Sequence, residues 1–233
     1  MDDDLEQRLA AARARVRELA SQLDRDTTST WRVAVEAELA AEVELAAPRG
    51  EQYARVIDIG PAWDVGAPLP HVVSNGSRAF AVCWAGQLGS DWDGTGTPVV
   101  SPADAQPSLL VVIEMWGCSD VRFGGPNDEA VSGHPLYGKG LAAYRAHEVF
   151  NSAWIQERIE VNSAHPRHSE APFRQLHHYV LLFHDEMLEV LALGIESRLV
   201  QGTLREVLDS LTSILIEQPD RRAVEPCPST RQP

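Results

Sequence analysis

The 233-residue sequence predicts an α+β fold: a mostly antiparallel β-sheet of five to seven strands packed by helices, with a coiled-coil-like helix and a second, Ala/Glu-rich helix at the N-terminus. Three observations predict it. Residues 5–23 place apolar side chains at alternating intervals of four and three. From about residue 52 the pattern shortens to runs of Val, Ile and aromatics bounded by Gly, Pro and Asn. Residues 203–217 then return to a helical period behind a capping signal.

The first helix carries Leu5, Leu9, Ala12, Val16, Leu19 and Leu23 along one seam. A lone helix of this length cannot bury such a stripe, so it must pack on its own domain, on the next helix or on a second copy of the chain. Residues 27–30 interrupt the pattern and cap a second helix near 31–46, with Trp31, Val35, Leu39 and Val43 spaced by four; Pro48 and Gly50 end it. Asn75-Gly76, between two apolar runs, predicts a hairpin with a type I′ turn. Leu109 to Met115 is the most apolar strand candidate and should be central, and the chain continues through Val121 and Phe123. Residues 141–162 fit a helical spacing. Leu176 to Phe183 and Met187 to Leu193 flank His184-Asp185-Glu186 as a second tight hairpin. Thr203 and Glu206 form a capping box for a helix with Leu204, Val207, Leu208, Leu211, Ile214 and Leu215 on one face. The organisation expected is a helical arm over 1–48 for packing or oligomerisation, an α+β domain over 49–218, and a disordered tail over 219–233.

The composition excludes several functions. Twenty Lys and Arg against 34 Asp and Glu give a formal charge of −14. No basic patch offers itself to nucleic acid or anionic lipid, no apolar run approaches a membrane span, and the acidic Met1-Asp2-Asp3-Asp4 start is unlike a signal peptide. Three scattered cysteines suit a reducing compartment. The expectation is a soluble, cytoplasmic protein that binds a small molecule or a protein partner and self-associates through residues 5–23.

Chemistry concentrates in one stretch. Seven of the eight histidines fall within residues 134–184, where four acids meet five bases, so an imidazole-rich island sits inside an acidic protein. Asp128, Glu129 and His134 lie on a glycine-bounded loop and can serve one proton-transfer or metal site. His147-Glu148 opens a His-Glu-x-x-Asn sequence, a metalloprotease helix motif with its second imidazole lost. His184 stands beside two carboxylates at a turn. These six residues are the candidate acid/base groups. Asn127, Lys139, the only lysine, Arg167 and His168 are the candidates for holding a polar or anionic ligand. His177 and His178 must point to opposite sheet faces, so at most one belongs to a site. Asp91 to Gly96 resembles a fragment of a calcium loop but lacks its distal Glu. The pattern points to an enzyme acting on a small polar or anionic molecule, by acid/base chemistry or through a divalent transition metal. The alternative is a non-catalytic, oligomeric interaction protein or accessory subunit whose His-rich loops bind a partner.

Overall fold

A computed structural model describes residues 2–22, 27–86 and 101–217; Leu23, the Asp91 to Gly96 segment, Cys227 and the tail lie outside the described residues. The fold is α+β, as predicted, with nine strands among the described residues in two antiparallel sheets rather than one. β1 (Tyr53–Ile57), β5 (Asp120–Gly124), β6 (Ala146–Phe150), β7 (His177–Leu182) and β8 (Met187–Ala192) form a five-stranded sheet in the order β1-β6-β7-β8-β5. β2 (His71–Ser74), β3 (Arg78–Trp84), β4 (Ser108–Trp116) and β9 (Gly194–Gly202) form a four-stranded sheet in the order β2-β3-β4-β9.

The two sheets enclose the main core. Ala81 and Cys83 of β3 and Val111, Ile113 and Met115 of β4 meet Leu181, Phe183, Leu188 and Val190 from the opposite sheet. Alternation along each strand then sends the intervening residues outward. Both outward faces are also apolar, which is why these strands read as continuous hydrophobic runs. Beyond the four-stranded sheet, Phe80, Val82, Leu110 and Val112 receive Leu204, Val207, Leu211 and Leu215 of α4 (Leu204–Glu217). The capping box forms as predicted: Thr203 Oγ1 accepts from the Glu206 amide at 3.2 Å, and Glu206 Oε2 accepts from the Thr203 amide at 3.0 Å. Beyond the five-stranded sheet, Ala54, Val149, Val180, Leu182 and Met187 are covered by Leu136 and Leu141.

The N-terminal helices form an antiparallel hairpin. α1 (Asp2–Ala20) lies against α2 (Thr28–Ala46) through buried Leu9 and Leu19, with ion pairs Arg8–Glu44 at 2.7 Å and Arg13–Glu42 at 3.0 Å along the seam. The α1 stripe thus finds cover within its own chain.

Three local expectations need correction. Residues 141–162 are not one helix: β6 pairs with β1 and β7, Asn151 turns the chain at φ 53°, and α3 (Ala153–Asn162) begins only where Ser152 Oγ accepts from the Ile155 amide at 3.2 Å. The helical spacing of Val149, Ala153 and Gln156 runs across the boundary between β6 and α3. The 75–76 turn is not type I′, because only Gly76 takes a positive φ, 83°. Asn75 instead uses its side chain, accepting from the Ser77 and Arg78 amides and donating to the Leu215 carbonyl at 2.9 Å. Finally, β9 was not expected at all. Its sequence sets Glu196, Ser197 and Arg198 in a row on an edge, without the apolar run that marks the interior strands.

Candidate functional site

A groove of about 890 Å³ lies between the helical hairpin and the sandwich. One wall is α2, through Trp31, Val35, Glu38 and Leu39. The facing wall is built by β1 and the segment after it, with Val56, Ile59, Trp63 and Val65, and by residues 137–146. The apolar stripe read in the sequence of α2 is therefore only partly covered: Trp31, Val35 and Leu39 are half-buried, and Val56, Val65 and Tyr137 opposite them are exposed. Contiguous apolar surface of this kind marks a place where something binds.

One clamp holds the two walls together. Gly140 lies at φ 90°, a left-handed conformation natural only to glycine, and its amide donates to buried Glu42 Oε2 at 2.9 Å. Glu42 Oε1 accepts from Arg13, while the Lys139 carbonyl accepts from the Ala54 amide at 2.8 Å. Helix, loop and β1 meet at this point.

The groove carries more acid than base. Its lining includes Glu36, Glu38, Glu42 and Asp58 against Arg32 and Arg145. Arg145 pairs with Glu36 at 3.6 Å, and Arg13 is shared between Glu42 and Glu38, the latter at 3.5 Å. Burial, and then the neighbouring Glu42 charge, raise the Glu38 carboxyl above its ordinary range, so a cation beside it is welcome.

Behind Tyr144, one of the residues lining the groove, two of the predicted residues come together. Asp128 Oδ2 accepts the Tyr144 hydroxyl and lies 3.1 Å from His184 Nδ1. The Tyr144 hydrogen bond, reinforced by His184, lowers the Asp128 carboxyl, and the same bond pushes the phenol up to about 12. Asp128 is therefore ionised and orients the imidazole. His184 Nε2 has no hydrogen-bond partner among the described residues, and the side chain is 40% exposed. An imidazole held by a carboxylate with its far nitrogen open is the arrangement of a general base. Tyr144 had no sequence signal beyond its neighbourhood; its backbone sits at φ 59°.

The other candidates lie in separate contacts. Asn127 caps a 3-10 turn over Asp128–Gly133, its side chain accepting from the Ala130 amide at 3.1 Å. Glu129 is exposed, its side chain in no hydrogen bond or ion pair among the described residues. His147 is fully buried on β6, not on a helix. Its Nε2 accepts from the Ala142 amide at 3.0 Å and Nδ1 faces the Val180 carbonyl at 3.2 Å, so both nitrogens are committed to holding the 141–145 loop on the sheet. Glu148 pairs with His177 at 2.5 Å and Lys139 with Glu51 at 2.6 Å. Arg167 and His168 stay in the turn after α3, where His168 rests on the Phe173 ring. No hydrogen bond or ion pair joins Arg167 or His168 to Asp128 or His184 among the described residues. The cations expected to hold an anion are thus spent or elsewhere.

His134 joins a cluster that sequence spacing did not expose. Ser152 Oγ lies 2.9 Å from His178 Nδ1, and His178 Nε2 lies 3.0 Å from Glu189 Oε2. Burial would raise the Glu189 carboxyl, but the His178 hydrogen bond and charge, with His134 and Arg122, hold it below its ordinary range. An ionised Glu189 accepts from Nε2 of His178. This chain links α3 to the sheet. Nor do three or more His, Cys, Asp or Glu side chains gather anywhere in the described residues so as to hold a metal ion. Cys83 and Cys118 are buried core thiols, raised by burial. No described helix is long and apolar enough to cross a membrane. Compared with known proteins, the chain matches no protein family, no curated protein and no solved structure.

Proposed function

We propose that the protein binds an amphipathic small molecule bearing a cationic group in the groove between α2 and the sandwich. The observation that carries this reading is the half-exposed Trp31–Val35–Leu39 stripe facing exposed Val56, Val65 and Tyr137 across about 890 Å³. The apolar part of the ligand covers that stripe. Its cation lies against Glu38 and the electron-rich faces of Trp31 or Tyr137. A matched pair of probes tests the charge preference: decylammonium and decanoate, titrated below their micelle concentrations at neutral pH while tryptophan fluorescence is followed. Decylammonium should bind the more tightly, and Leu39→Asn should weaken it roughly tenfold, the loss expected when one apolar side chain no longer contacts the ligand. Equal binding of both probes, or no effect of Leu39→Asn, would count against the groove.

A second reading is favoured by the Asp128–His184 pair. His184 is joined through Asp128 to Tyr144, which lines the groove, and its open nitrogen can draw a proton from water attacking a bound ester. No hydroxyl or thiol nucleophile contacts that nitrogen among the described residues, so water is the nucleophile in this scheme. If the reading holds, the chain accelerates hydrolysis of a neutral long-chain aryl ester, and His184→Gln lowers the rate on the order of a hundredfold. A rate unaltered by His184→Gln leaves the pair a structural contact.

A further inference from the structure

β9 is the outer strand of the four-stranded sheet, paired with β4 along all nine residues and with no strand on its other side among the described residues. The other sheet edges are shorter: β2 has four residues, and β1 and β5 have five each. A long edge strand without proline is a template for another strand, and at its middle Ser197 Oγ donates to the Ile59 carbonyl at 2.6 Å within the chain.

The side chains of β9 specify which strand. Two copies related by a two-fold axis normal to the sheet pair antiparallel, and each residue then meets one on the same face. Centring on Glu196 would oppose two glutamates, and centring on Arg198 would oppose two arginines. Centring on Ser197 opposes Glu196 to Arg198 of the second copy on one face, and Ile195 to Leu199 on the other. Each pairing occurs twice. Charge and apolar character agree only in this register.

Two features of the single chain are resolved by it. Glu196 stands directly across from Glu114 on β4, a like-charge pair. Glu114 is already served by Arg78 at 2.6 Å and Arg198 at 3.8 Å, and Glu196 has no ion-pair partner among the described residues. Leu199 is 48% exposed on the same strand face as Ile195, which packs partly on the inter-sheet core. We infer that the chain forms a homodimer by antiparallel pairing of β9 with β9 of a second copy, centred on Ser197, giving a continuous eight-stranded sheet. In it, each Glu196 gains a cation and each Leu199 an apolar neighbour.

The mass of the full chain in solution tests this, by light scattering at about 100 μM, well above a micromolar Kd. The mass expected is twice the 25.6 kDa of one chain. Glu196→Arg is the informative variant, since within the chain it replaces a like-charge pair by Arg opposite Glu114 and so keeps the fold. Across the dimer it sets Arg against Arg198 twice and should weaken association tenfold or more. The double variant Glu196→Arg with Arg198→Glu restores opposite charges and should restore the dimer. A wild-type chain that stays monomeric, or a dimer indifferent to Glu196→Arg, overturns the proposal; the latter result would direct attention to the α1 seam.

Discussion

Gly140→Ala should destabilise the protein by about 3 kcal/mol or more and lower its melting temperature on the order of 10 °C. The φ of 90° disfavours any side chain, and a Cβ built there lies 2.1 Å from the Ala54 carbonyl oxygen and 2.8 Å from Val43 Cγ2. Neither neighbour can withdraw freely: one is β1 backbone, the other belongs to the helix that walls the groove. Moving the loop instead breaks the amide bond to Glu42 and leaves a buried carboxylate with one partner fewer. The damage should reach the groove, so decylammonium affinity falls together with stability. Gly133→Ala is the matched control, because a Cβ there meets nothing within 4 Å. It should change stability by about 0.5 kcal/mol at most. Thermal melts of the two variants side by side check the expectation.

The second large effect is a loss of stability in acid that traces to His147. Burial pulls this imidazole down from its ordinary 6.5 to about 4. Between those values the unfolded chain binds the proton and the folded chain refuses it. The stabilising contribution is therefore fully present above pH 6.5 and is lost as pH falls towards 4, amounting to roughly 3 kcal/mol over the window. Asp128, whose carboxyl is lowered in the folded state, adds a loss of the same sign at lower pH. His147→Asn should cost stability at neutral pH, through the lost bond to the Ala142 amide, and flatten the slope between pH 6.5 and 4. Urea unfolding at a series of pH values measures both. A wild-type slope retained in the variant would show that another group carries it.

How far the sequence could be read follows from what each signal depends on. Local chemistry was plain: the Thr203–Glu206 box, the two hairpins and the α2 stripe each rest on residues close together in the chain. The division into two sheets was not, since each interior strand buries both of its faces and a continuous apolar run does not say what lies on either side. The same blindness hid the role of His147, because a histidine in an alternating strand looks identical whether its nitrogens face solvent or two backbone groups. The histidine cluster in sequence became several separate contacts in space. Strand alternation sends His177 to Glu148 and His178 to Ser152 and Glu189, while the hairpin carries His184 to Asp128. Of the expected site, the Asp128–His184 pair is brought together. The partners that complete these groups, Tyr144, Ser152 and Glu189, come from positions with no local signature, fixed only by sheet register. The groove itself was half legible. The α2 stripe announced an apolar face needing cover, but the opposite wall is assembled from residues 56–65 and 137–146, joined only by the fold.

The central claim is that this groove is where the protein meets its ligand, and amide chemical-shift mapping with decylammonium tests it most directly. Perturbations should concentrate at residues 31–42, 56–65 and 137–146, saturate together, and diminish in Leu39→Asn. Shifts confined to the opposite side, around β9 and α4, or no saturable shifts at all, would contradict the account.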